Sequence, residues 1–148
     1  MRARVTEVLI LVLLGAACAS PTPATVRHVN LPGRTDTRPF SNAVLVGDTL
    51  HLSGALGIDP DTGMPPAAVA DEVRLVLDSM LTRLELVGMS MDDLVSVTVF
   101  CPDLTLYEEF NSIYRTYFSD GFPARAFIGS GPLLRDARFE VMGTAVRR

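Results

Sequence analysis

Residues 122–148 alternate between two kinds of side chain, and that alternation commits the chain to a fold with a sheet at its C-terminal end. Over residues 124–128 small or apolar residues alternate with Arg125 and Phe127. Over residues 138–146 Phe139, Val141, Gly143 and Ala145 alternate with Arg138, Glu140, Met142 and Thr144. A period of two belongs to β-strands, whose successive side chains point to opposite faces. Two strands joined by a Gly/Pro-rich loop are therefore expected. If Ala124, Ala126, Ile128, Phe139 and Val141 pack on helices, Arg125 and Glu140 share the opposite face. A guanidinium and a carboxylate facing one cleft suit a small anionic substrate.

Upstream, residues 26–31 form a possible first strand, and residues 43–46 and 50–54 flank Gly47-Asp48 as a hairpin. Residues 67–87 form a helix. Val69, Val73, Val76, Leu77, Met80, Leu81, Leu84 and Val87 recur at three and four, and Asp71, Glu72, Arg74, Asp78, Arg83 and Glu85 take the other face. Gly88 stops it. Residues 94–101 read as a strand and residues 106–118 as a second helix, with Leu106, Phe110, Ile113 and Tyr117 inward. Tyr107, Asn111, Tyr114 and Phe118 lie on a neighbouring stripe, so Asn111 is either a satisfied buried amide or a ligand contact. The order β-β-β-α-β-α-β-β implies a single α+β domain with a mixed sheet and both helices on one face. The other face would carry Ser53, Thr98, Arg125, Arg138, Glu140 and Thr144, a set suited to burial against another subunit.

The first 19 residues have the three parts of an export signal: Arg2 and Arg4, then the apolar run 8–14, then Gly15-Ala16-Ala17-Cys18. Cleavage before Cys18 would give a lipoprotein anchored to the membrane through that residue; cleavage after Ala19 would give a free periplasmic protein. Residues 20–37 read as a tether and N-terminal segment, and residues 38–148 as the folded domain. A net charge of −4 gives no electrostatic footprint for nucleic acid. All 13 basic residues are arginine, which excludes a lysine Schiff base or a P-loop lysine. The two His and two Cys have no metal-ligand spacing, so no metal is expected. Cys101 reads as a small buried hydrophobe.

The chain resembles the RidA/YjgF family of reactive-intermediate deaminases over residues 38–148. The resemblance rests on Arg38-Pro39-Phe40-Ser41-Asn42-Ala43-Val44, Leu52-Ser53-Gly54 and Asp59-Pro60-Asp61-Thr62-Gly63. It continues through Asp92-Asp93-Leu94-Val95-Ser96-Val97-Thr98-Val99-Phe100, Phe110-Asn111-Ser112-Ile113-Tyr114 and Phe118. Phe122-Pro123-Ala124-Arg125-Ala126 and Phe139-Glu140-Val141 complete it. It implies a chorismate-mutase-like fold, a homotrimer with sites between subunits, and cofactor-free hydrolysis of small 2-imino or enamine acids to 2-oxo acids and ammonia. By that resemblance Arg125 grips the substrate carboxylate and Glu140 holds or activates water. Asn111, Gly54, Ser53, Phe40 and Phe127 line the pocket. The departures are Phe40 where many deaminating members have Tyr, Ala55 in place of Gln, the large ring of Phe127, and the loosened loop Gly129-Ser130-Gly131. With export, they support an alternative: a non-catalytic protein holding a small carboxylate or a protein partner. RNA cleavage, claimed for some relatives, conflicts with the acidic charge and with export.

Overall fold

The computed structural model describes residues 24–35 and 37–148; the expected signal and Cys18 lie outside them. Six strands form one sheet: β1 (Val26–Val29), β2 (Ala43–Val46), β3 (Thr49–Leu56), β4 (Leu94–Cys101), β5 (Ala124–Gly129) and β6 (Glu140–Val146). Their spatial order is β1-β2-β3-β6-β4-β5. All pairs are antiparallel except β4 and β5, which run parallel through a helical crossover. The helices are α1 (Val69–Glu85) and α2 (Tyr107–Tyr114), the latter flanked by 3-10 turns at Leu104–Leu106 and Arg115–Tyr117. Gly88, at φ +70°, ends α1 in the left-handed conformation that the Gly stop requires.

The core lies between the helices and one face of the sheet. Val73, Val76, Leu77, Met80 and Leu84 of α1 and Phe110 of α2 meet Leu50, Leu52, Val97, Val99, Val141 and Ala145. The five apolar residues of α1, recurring at three and four, and the alternation on β3, β4 and β6 fill this layer, each at its own period.

Three expectations fail here. Arg125 pairs with Val97, which pairs with Gly143, whereas Glu140 pairs with Phe100, which pairs with Ile128. Cross-strand partners share a face. Arg125 therefore lies on the helical face and Glu140 on the open one, with the sheet between them. Ala124, Ala126 and Ile128 are exposed on the open face instead of packing on helices. The cause is the position of β5 at the sheet edge, where α2 brings aromatic rings over Arg125 and Phe127.

Secondly, Arg138 precedes β6 and turns back to α1. Its guanidinium donates to Glu72 Oε2 and to the carbonyls of Pro66 and Ala67. Thirdly, Glu72 and Arg83, placed by periodicity on the outer face of α1, are both buried. Glu72 accepts from the backbone N–H groups of Arg138 and Phe139, and the Arg83 Nη1 donates to the Ser53 carbonyl at 2.9 Å. Local hydrogen bonds and an ion pair, not hydrophobicity, hold these two side chains inside.

Candidate active site

The residues expected to form one site fall into two groups on opposite faces of the sheet. The first surrounds Arg125. Its Nη2 donates to Asn111 Oδ1 at 2.6 Å, so α2 and β5 orient the guanidinium jointly. The guanidinium carbon stands 4.5 Å from the centroid of the Tyr114 ring. It stands 5.8 Å from the Phe127 centroid and 5.9 Å from those of Tyr107 and Phe110. Tyr107 and Phe127 meet edge to face, as do Phe110 and Phe127, which closes a box of rings around the cation. Cation–π attraction of roughly 0.5–2 kcal/mol holds such a group in place without neutralising it.

A pocket of about 390 Å³ opens on this cation, lined by Tyr107, Asn111, Tyr114, Arg115, Phe122, Pro123 and Arg125. The Tyr114 hydroxyl is buried there without a hydrogen-bond partner. Burial pushes its pKa up to about 12, against the opposing pull of the Arg125 charge. The loop leading into β5 is fixed by Asp92, whose carboxylate accepts from the N–H and hydroxyl of Ser119 and from the N–H of Asp120. The Ser119 hydroxyl bond, foremost, keeps that carboxyl below its ordinary value.

The second group occupies the open face and the kink in β3. The ladder between β3 and β6 slips between Leu52 and Ala55, a bulge containing Ser53 and Gly54. The Glu140 carboxylate lies against Gly54, where a Cβ would overlap it. Ser53 Oγ donates to the Ser41 carbonyl at 2.6 Å, fastening the bulge to the segment that carries Phe40. Phe40 is half exposed, with the guanidinium groups of Arg34 at 5.2 Å and Arg38 at 5.5 Å from its ring centroid. It lines an open pocket of about 480 Å³ with His28, Asn30, Ser41 and Val44. From behind, Arg83 holds the Ser53 carbonyl; its Nε has no partner, and burial, then the Arg38 charge, lower its pKa to about 10.

Among the described residues, neither Arg125 nor Glu140 makes an ion pair. A guanidinium boxed by rings and bonded to one neutral amide has donors left for a planar anion. A carboxylate over a glycine in a bulge has acceptors left for water. Cys101 takes no part: it is buried, its thiol donates to the Asp103 carbonyl, and burial raises its pKa. Tyr107 and Tyr114 share with Asn111 the spacing of one helical stripe, a signal legible in sequence. Arg83, one basic residue in an ordinary last helical turn, carried none.

Fold and site together define a class: a mixed six-stranded sheet with two helices on one face, an arginine set in aromatic rings on one side and an open carboxylate on the other. The family model described as endoribonuclease L-PSP matches residues 34–147. The 2-iminobutanoate/2-iminopropanoate deaminase of Bos taurus is 36% identical over 110 residues, which cover 74% of this chain and 80% of that protein. The deaminase of the same name from Escherichia coli (strain K12) is 34% identical over 113 residues, covering 74% and 88%. The crystal structure of the YjgF gene product from E. coli superposes with a TM-score of 0.75 at 30% identity, covering 82% of this chain and 99% of that one. E. coli TdcF with bound serine gives 0.74 at 28%, covering 82% and 99%. The chain belongs to the RidA/YjgF (L-PSP) family.

Proposed function

We propose that this protein hydrolyses small 2-imino acids to 2-oxo acids and ammonia, as a homotrimer whose sites lie between subunits. The observation that carries the reading is the unneutralised Arg125, held by Asn111 and four rings at the mouth of a pocket. A guanidinium in that state binds carboxylate bidentately. The deaminase names of the relatives and the serine in TdcF agree with a small carboxylate ligand.

The chemistry needs no cofactor. Water adds to the electrophilic imine carbon while Glu140 takes one of its protons and passes it to the imine nitrogen, giving a 2-amino-2-hydroxy acid. The hydroxyl proton is then relayed by Glu140 to the amino group, the C–N bond breaks, and ammonia leaves as the carbonyl closes. Arg125 fixes the carboxylate throughout, so the imine carbon is presented to the water in one orientation.

One chain separates these two groups by its sheet, which is why the reading requires a second copy. The open face supports this: Ile128 and Met142 are each about two-fifths exposed, and Ala124, Ala126, Thr98 and Thr144 accompany them. Glu140 is the charged residue in those rows, and a face so low in charge suits an interface. A neighbour presenting its Glu140, Gly54, Ser53 and Phe40 at the Arg125 edge would complete each site.

Mixing inactive chains tests chemistry and assembly at once. Arg125→Ala and Glu140→Gln should each abolish turnover, followed as suppression of the semicarbazide adduct of an imine generated by an amino-acid oxidase. Refolded together in equal amounts, they should regain about one native site in four, because a site between subunits draws one residue from each. No recovery on mixing would refute a shared site, and wild-type activity in Arg125→Ala would refute the assignment.

A second reading, an exported carboxylate-binding protein without turnover, is favoured by Phe40. Its ring offers no hydroxyl to substrate or water, and Arg34 and Arg38 already stand over it. Binding of 2-oxo acids without imine hydrolysis would establish it. Export through residues 1–19, with lipidation at Cys18, is part of the proposal; palmitate labelling lost in Cys18→Ser would support it.

A further inference from the structure

The pocket on Arg125 contains a second cation. Arg115 lies one helical turn beyond Asn111, and its Nε donates to the Asn111 carbonyl at 3.1 Å. That bond engages Nε and holds the side chain on the helix end, where Arg115 lines the pocket. Among the described residues Arg115 makes no ion pair, and no acidic side chain lines this pocket. Two guanidiniums on one wall carry more positive charge than the single Glu140 carboxylate proposed to come from a neighbour would balance, and an occupant carrying two negative charges relieves the remainder.

Both cations are anchored on one residue, Arg125 on the Asn111 side chain and Arg115 on the Asn111 carbonyl. Two guanidiniums rooted on one residue suit a short diacid, whose two carboxylates stay close together. Tyr107, Tyr114, Phe122 and Pro123 line the same pocket and offer apolar surface to a short methylene chain.

We infer that the site selects dianionic substrates, the 2-imino dicarboxylic acids formed by oxidation of acidic amino acids, with Arg115 as the specificity-determining residue. Arg125 takes the carboxylate beside the imine and Arg115 takes the distal one. Water addition, proton transfer and loss of ammonia proceed as for a monoanion, since the distal carboxylate takes no part in bonding changes. The inference rests on the carboxylate-binding reading of Arg125.

The test is calorimetric titration of the full chain with 2-oxoglutarate and with 2-oxobutanoate, stable products of the two substrate classes. Wild type should bind the diacid about tenfold more tightly, and Arg115→Gln should remove that preference while leaving 2-oxobutanoate binding unchanged. Arg115→Glu should reverse it. Arg125→Gln should weaken both ligands. Equal affinity in wild type, or a preference surviving Arg115→Gln, overturns the selectivity while leaving the role of Arg125 standing if Arg125→Gln weakens both. Failure of both 2-oxo acids to bind wild type overturns the inference and the reading beneath it.

Discussion

Glu72 lies over Gly57, and Glu140 lies over Gly54 only three residues earlier, yet the two carboxylates end in different states. Glu72 is sealed. It accepts from the Arg138 and Phe139 backbones and pairs with the Arg138 guanidinium, whose remaining donors go to Pro66 and Ala67. The result is a strap joining the start of α1 to the start of β6. Glu140 has the same kind of glycine beneath it and no arginine above it; Arg125, the cation it would need, is across the sheet. A buried carboxylate whose partners all come from its own chain maintains the fold. One left open by its own chain is available to substrate, to water and to a neighbour.

Substitutions that interrupt the sealed cluster should cost stability, and those at the open cluster should cost activity. Glu72→Ala leaves the Arg138 charge and two backbone N–H groups without acceptors, and should lose about 3–5 kcal/mol in urea denaturation. A loss below about 1 kcal/mol would show the strap to be ornamental, since that is the range of exposed pairs. Next come the glycines. At Gly57 an added Cβ meets the Glu72 backbone carbonyl, which cannot move without the helix, so Gly57→Ala should cost about 1–3 kcal/mol. At Gly54 it meets the end of the Glu140 side chain, which can swing aside. Gly54→Ala should therefore melt close to wild type but lose about tenfold in kcat, because the carboxylate is displaced.

The smallest effect belongs to Tyr114. Replacing it with Phe removes a buried hydroxyl with no partner and should leave stability unchanged or raised by up to about 1 kcal/mol. It also alters the alkaline limb. The phenol ionises near its ordinary 10.0 in the unfolded chain but near 12 in the native one. Between those values the native state retains a proton that the unfolded state has lost, so stability falls as pH rises. Tyr114→Phe should flatten that fall between pH 10 and 12 in chemical denaturation. Tyr117, raised too by burial and then by its bond to Asp78, leaves a residual slope.

Periodicity made most of the architecture legible. The five aliphatic positions of α1 in the core, the Gly88 stop, the hairpin at Gly47-Asp48 and every strand were readable because each signal is local. The facing of β5 was not. Ala124, Ala126 and Ile128 look like inward residues by hydrophobicity, but their face of the sheet is itself poor in charge, so the pattern carries no sign. Arg125 looks outward by charge, yet aromatic rings on α2, distant in sequence, give a cation a bed. Glu72 and Arg83 misled for the same reason: a helical wheel weighs each residue alone, whereas their burial depends on Arg138 and on a carbonyl in a bulge. Arg125, Glu140 and Asn111 stood out by alternation and helical spacing, and the resemblance supplied their roles and the rest of the pocket; neither signal fixes the side of the sheet on which each stands.

β6, the last of the six strands in chain order, sits between β3 and β4 in the middle of the sheet. Until it arrives, the β1-β2-β3 meander and the β4-α2-β5 crossover have no common seam, and α1 has only fragments to lie on. The contacts that unite them span much of the chain, which slows folding. A nascent chain is therefore committed late, and cutting away its final strand would split the sheet rather than trim it. Glu140 is the first residue of that strand. No partially folded product can carry the open carboxylate in its place, so the chain either closes its sheet or lacks that carboxylate.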